Sequence, residues 1–149
     1  MKTPKLPLVA IALFILAFLL LGGCGFTQGK KDAEAVLVRH FQAVSTNGFS
    51  AALADYGAQF FQNTTKDQWA KVLAKLSDKL GAYQGHTVTG WNVASDMGTG
   101  GTTTIVSLQC QVTYSKQTAT ESFTLRKGVA DADYKIIGHQ ISSAALLTD

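Results

Sequence analysis

The sequence predicts an α+β domain: N-terminal helices packed on a curved, mainly antiparallel, four-stranded sheet. Three observations carry this expectation. Apolar residues recur at helical spacing as far as Leu80 and at strand spacing after Gly81. The strand-like segments follow one another with only short turns between them, a meander order rather than an alternation with helices. Beyond the first 23 residues, 126 remain, enough for one ordinary core and not for two.

The N-terminal 23 residues stand apart from that domain. Lys2 and Lys5 precede the uninterrupted apolar run Leu8–Leu21, and no acid falls before Asp32. Fourteen apolar residues at helical rise span about 21 Å, short of the ~30 Å hydrocarbon layer, a length that suits a secretory signal. Gly22-Gly23 then offers a protease an uncrowded backbone in front of Cys24. Leu21-Gly22-Gly23-Cys24 resembles the lipobox of bacterial lipoprotein precursors, with Gly22 where Ala or Ser is usual. The resemblance implies cleavage between Gly23 and Cys24 and a thioether-linked diacylglyceryl group on Cys24. That cysteine then becomes the acylated (palmitate-type) first residue, a firm anchor because each buried methylene contributes ~0.8 kcal/mol. Gly25 in place of the Asp that retains such proteins in an inner membrane implies an outer-membrane, periplasm-facing location. An uncleaved signal anchor is the alternative, because no charge lies between Lys5 and Lys30. The expected organisation is therefore signal peptide 1–23, lipidated tether 24–31, carrying the solvated Lys30-Lys31, and a single domain 32–149.

From Asp32, a candidate N-cap, Ala33, Leu37, Phe41 and Val44 recur at helical spacing with Val36 and His40 beside them, and Asn47-Gly48 ends the helix. A shorter helical stretch starts at Ser50, and Phe60-Phe61 are placed to dock it on the core. Lys66–Leu80 carries the clearest helical signal. Thr65 and Gln68 fit a capping box, Trp69, Val72, Leu73, Leu76 and Leu80 make one apolar stripe, and Gly81 is the stop. Lys71, Lys75 and Lys79 on its back, interspersed with Asp67 and Asp78, read as a solvated face.

Four strands follow. Thr87–Val93 places Trp91 and Val93 on one face, and Met97-Gly98-Thr99-Gly100-Gly101 is a turn. Thr102–Ser115 alternates, with Val106, Leu108, Cys110, Val112 and Tyr114 on one side and Ile105, Ser107, Gln109, Gln111 and Thr113 on the other. Thr118–Lys127 pairs with it, Gly128–Asp133 is polar turn material, and Tyr134–Ser143 is the last strand. This order, with Trp69, Leu80-Gly81, Glu121-Ser122-Phe123-Thr124-Leu125 and Tyr134–Ile141, resembles exported proteins of unknown function in the nuclear-transport-factor-2-like (cystatin-like) superfamily. The resemblance implies a cone in which helices close over the sheet. Here Tyr134 stands where the family usually has Trp, and the usual Tyr near His139 is missing. The superfamily holds isomerases, dehydratases, secretion-system subunits and binding modules, so function must come from a site.

Charge narrows the classes of function. The chain carries 13 bases and 10 acids, but after residue 23 the balance is 11 to 10, without the basic excess of a nucleic-acid binder. His40, His86 and His139 share no metal-ligand spacing, and no metal or cofactor is expected. His40 reads as a packed residue, His86 as exposed, and Cys110 as a buried structural thiol. Glu121 shares strand parity with Phe123 and Leu125, and His139 with Ile137 and Ile141. If both parities face one half-apolar cavity, Glu121 and His139 are the candidate acid–base pair, and Phe123, Ile137, His139 and Ile141 the candidate pocket. The expectation is a membrane-anchored, non-enzymatic binding or interaction module. Its partner would be an envelope protein or a small apolar ligand, and its polar strand face could pair two copies. The alternatives are a small isomerase or hydratase using Glu121 and His139, or a subunit of an envelope secretion assembly.

Overall fold

Two long helices lie against one face of a four-stranded antiparallel sheet whose spatial order is β1-β2-β3-β4. The computed structural model describes residues 24–146, so the leader and its junction at Gly23 lie outside the described residues. Among the described residues no helix is long and apolar enough to cross a membrane. The α+β expectation holds, with strands β1 (Tyr83–Gly98), β2 (Gly101–Tyr114), β3 (Thr118–Gly128) and β4 (Lys135–Ser142).

Helix α1 (Cys24–Asn47) begins eight residues before its expected cap. Asp32 is no cap; its carboxylate accepts from Gln28 Nε2 at 2.6 Å, and Lys30 Nζ reaches Glu34 Oε1 at 2.7 Å, two pairs at i,i+4 spacing. Tertiary contact overrides the weak helix propensity of this stretch. Gly29 presses against the sheet so closely that a Cβ there would lie 3.1 Å from Tyr134 Oη and 3.8 Å from Val93 Cγ1. The stretch 24–31, expected as a short tether, is helix, docked on the domain from Gly29 onward. Further along, Ala33, Val36, Leu37, His40 and Phe41 are buried.

A single helical turn, α2 (Phe49–Ala52), leads into 3₁₀ turns at Leu53–Asp55 and Phe60–Gln62, which carry Tyr56 to the sheet edge. There Tyr56 bridges Ile136, and Gly57 N donates to Ile136 O at 2.9 Å. Helix α3 (Lys66–Leu80) has the expected bounds and both halves of its capping box: Gln68 N donates to Thr65 Oγ1 at 3.1 Å, and Thr65 N to Gln68 Oε1 at 3.0 Å. Leu73, Leu76 and Leu80 are buried, whereas Val72 sits at the rim of the stripe, 42% exposed.

Gly81 closes α3 at φ +88°, ψ −166°, a conformation confined to glycine. A Cβ there would collide with Ser115 Oγ and lie 3.1 Å from Lys116 N. Gly81→Ala is expected to cost about 2–3 kcal/mol, strain and collision together, read as a lower urea midpoint at unchanged slope.

Strand β2 shows the expected alternation. Val106, Leu108, Cys110, Val112 and Tyr114 are all buried, while Ser107, Gln109, Gln111 and Thr113 are exposed on the uncovered face. Ala119, Glu121, Phe123 and Leu125 of β3 continue the inner layer. Strand β1 is longer than expected and forms an extended hairpin with β2 through Gly98↔Gly101. The β3–β4 pairing sets Phe123 opposite His139 and Glu121 opposite Ile141, then slips by one residue so that Leu125 faces Ile136.

Candidate functional site

A line of four hydrogen-bonded side chains crosses the layer between the helices and the sheet. Glu121, 1% exposed in the middle of β3, is held through both carboxylate oxygens. Oε1 accepts from the Tyr114 hydroxyl of β2, and Oε2 lies 2.9 Å from His139 Nε2 on β4. His139 Nδ1 in turn lies 2.7 Å from the Tyr56 hydroxyl, presented by the turn after α2. The topology explains the convergence. Glu121 and His139 occupy the same sheet face on adjacent antiparallel strands, and inward positions two residues apart along a strand bring their side chains within reach.

The direction of the hydrogen bonds follows from the two phenols. Burial raises the Tyr114 hydroxyl above its ordinary range, with the neighbouring charge of Glu121 adding to the effect. Burial likewise raises Tyr56, opposed by the nearby Trp69 indole and reinforced by the charges of Glu121 and Asp55. Both hydroxyls therefore keep their protons; Tyr114 donates to Glu121, and Tyr56 is paired with His139 Nδ1. The Glu121 carboxylate also accepts from His139 Nε2. Every hydrogen-bonding atom of the Glu121 and His139 side chains is occupied.

Aromatic rings enclose the line. Phe123 stacks on the His139 ring at 4.1 Å between centroids, and Trp69 meets it edge-on at 5.6 Å. The Trp69 indole N–H is buried and falls outside hydrogen-bond geometry with any neighbour. His40 stands edge-on to His139 at 6.1 Å. Desolvation, helped by the proximity of His139 and opposed by the Ala52 carbonyl, lowers its pKa to about 3, so its ring is neutral. Its Nδ1 lies 3.8 Å from Asp55 Oδ2, beyond hydrogen-bond reach. Asp55 is instead satisfied by Arg39, which bonds Asp55 and Asp133 at 2.8 Å each.

The space beside the line is small. Between Glu121, His139, Tyr114, His40 and Ile141 it measures about 10 Å³ for a water centre, room for one water. A wider groove of about 530 Å³ skirts the outer edge of β4, lined by Phe60, Trp69, Ile137, His139 and Gln140 among others. The slip in the β3–β4 register divides the pocket candidates between the two spaces, with His139 bordering both. His139 and Ile141 face inward, but Ile137 falls at the bulge and lines the outer groove, leaving Ile136 as the buried neighbour. Phe123 packs against His139 and does not border the small cavity.

His86 departs from its exposed reading: it is half-buried, bonded to the Tyr83 hydroxyl at 2.7 Å and packed on Phe41 at 4.7 Å. Cys110 is fully buried, and desolvation, then the charges of Glu121 and Glu34, push its thiol up to about 12, which leaves it unreactive. Tyr114 and Tyr56 are the members of the line that sequence reasoning missed. Tyr114 shares inward parity with Cys110 and Val112, a usable signal, whereas nothing local marks the loop residue Tyr56. Among the described residues no group of three or more His, Cys, Asp or Glu is arranged to hold a metal ion. Comparison with family models, curated proteins and solved structures finds no match for this chain.

Proposed function

We propose that the chain is a lipid-anchored protein of the bacterial envelope whose α+β domain, a cone of the nuclear-transport-factor-2-like type, is a non-enzymatic interaction module. The observation that carries the non-enzymatic part is the enclosure of Glu121, with a partner on each carboxylate oxygen. A general base needs a lone pair facing a space the substrate can enter. Here Tyr114 and His139 engage the two carboxylate oxygens, both ring nitrogens are engaged, and the space that Glu121 borders admits one water, the wider groove reaching only His139. The anchor is supported by Leu21-Gly22-Gly23-Cys24 behind the apolar run, with Gly25 favouring the outer membrane.

Intact mass of the full chain expressed in a bacterium tests the anchor. The expected species starts at Cys24 and carries two or three acyl chains. Cys24→Ser is expected to leave the leader uncleaved and the acyl mass absent. A parent protein with an unmodified, full-length N-terminus overturns the lipoprotein reading.

One observation favours an isomerase- or hydratase-type enzyme as the second reading: Glu121 and His139 meet at 2.9 Å on the border of one apolar-walled cavity. That reading requires α1 and α3 to part enough for a substrate to displace the Tyr114 or Tyr56 hydroxyl.

A further inference from the structure

The course of α1 orients the domain on its anchor. Phe41, near the helix C-terminus, stacks on Tyr83 at 4.8 Å, at the start of β1. Gly29, twelve residues earlier, lies against Val93 of β1 and Thr104 of β2. Helix α1 therefore runs antiparallel to β1, and its N-terminus points toward the β1–β2 turn. Cys24 is five residues beyond Gly29, about 7.5 Å along the helix axis, which matches two to three residues of strand. Its backbone is thus level with Ser95 and Asp96, just short of Met97.

At that same end stand the two most exposed large apolar side chains among the described residues, Met97 at 84% and Val129 at 71%. They belong to one tip: Val129 Cγ2 lies 2.8 Å from where a Cβ would stand on Gly101, the residue that pairs with Gly98 across the β1–β2 turn. The charges around the tip balance, with Lys31, Arg126 and Lys127 against Asp32, Asp96 and Asp131, and Arg126 facing Asp131 at 3.8 Å. A highly charged partner finds no complement there. An apolar layer does, and the 23 residues preceding Cys24, with their run of 14 apolar residues, put one at this end of α1. This is true whether that run stays or acyl chains on Cys24 replace it.

We propose that the β1–β2 turn and the β3–β4 loop form a bilayer-contacting tip, with Met97 and Val129 seated among lipid headgroups beside the anchor. The inference rests on the anchored reading above. Anchor and tip together make a two-point attachment, because α1 is docked on the sheet from Gly29 and leaves the domain no long tether on which to swing. The sheet then stands with its strands steep to the membrane and the turn between β2 and β3 farthest from it. Contact through apolar side chains on a charge-balanced tip requires no anionic lipid.

The test uses the full chain, with the N-terminus the cell leaves on it, in phosphatidylcholine vesicles with acyl chains brominated near the headgroup. Met97→Trp and Val129→Trp each add a fluorophore at the tip; Gln84→Trp adds one at the opposite end of β1; Trp69 and Trp91 of the parent supply the background. About a twofold loss of the added fluorescence is expected at 97 and 129, since a headgroup-seated residue lies 5–10 Å deep, with none at 84. Co-flotation with unquenched fluorescence at 97 and 129, or equal quenching at 84, overturns the tip while leaving the anchor. A chain that does not float with the vesicles removes the anchored reading and the tip with it.

Discussion

Glu121→Ala is expected to destabilise the domain by about 3–5 kcal/mol, a large share of what a fold of this size has in reserve. The substitution strands the Tyr114 hydroxyl and the His139 Nε2–H beside a cavity with room for one water, too little to replace a carboxylate held by both. It also opens a void in the middle of β3, and the closed surroundings limit collapse. Glu121→Gln keeps the shape and one acceptor. Its Oε1 can still take the Tyr114 proton, but its amide then points a donor at the His139 donor. The hydrogen bonds of His139 and Tyr56 must then rearrange. About 1–2 kcal/mol is expected for that rearrangement. Urea unfolding at neutral pH reads both, as shifts in midpoint at constant slope. An alanine variant no weaker than the glutamine variant would mean that water reaches Glu121, contrary to its 1% exposure.

The parts of this molecule legible in the sequence are those set by local chemistry or by strict periodicity. Thr65 and Gln68 cap α3 because their side chains satisfy amides three residues apart, a relation contained in four residues. Strand β2 is legible because burial on one face makes every second residue apolar from Val106 to Tyr114, and the same alternation placed Cys110 in the core. What escaped depends on distant contacts. The helicity of Cys24–Lys31 comes from Gly29 pressing on Val93 and Tyr134, residues far along the chain. The bulge beside Leu125 exchanges Ile136 for Ile137 at the inner face, and a one-residue slip has no signature in a run of two isoleucines. The convergence of Glu121 and His139 was within reach of parity arguments. Its closure by Tyr56 was not, because that residue arrives on a turn held by a bridge to Ile136.

Stability is expected to fall steeply as the pH drops below 6.5, and His40 is the main cause. Its ring is 2% exposed, edge-on to Phe41, Tyr56, Phe123 and His139. Desolvation, with His139 adding to it, holds its pKa at about 3 against the ordinary 6.5. Between those two values the unfolded chain binds a proton that the folded chain refuses, so acidification favours unfolding. The loss approaches about 1.4 kcal/mol per pH unit, or roughly 2 kcal/mol between pH 6.5 and 5; above pH 7.5 this group contributes no slope. His86, lowered by desolvation from a half-buried position, adds a smaller loss of the same sign. Asp133, partly desolvated yet held below the usual carboxylate range by Arg39, acts only at and below its ordinary 3.8. Between pH 6.5 and 5, His40 and His86 therefore lose stability while Asp133 does not. Urea midpoints taken across it are expected to decline for the parent and to flatten for His40→Phe, which preserves the edge-on aromatic packing and removes the proton acceptor. Equal slopes for the two would place the acid sensitivity elsewhere and show that the His40 ring can turn toward Asp55, 3.8 Å from its Nδ1, and accept its proton there.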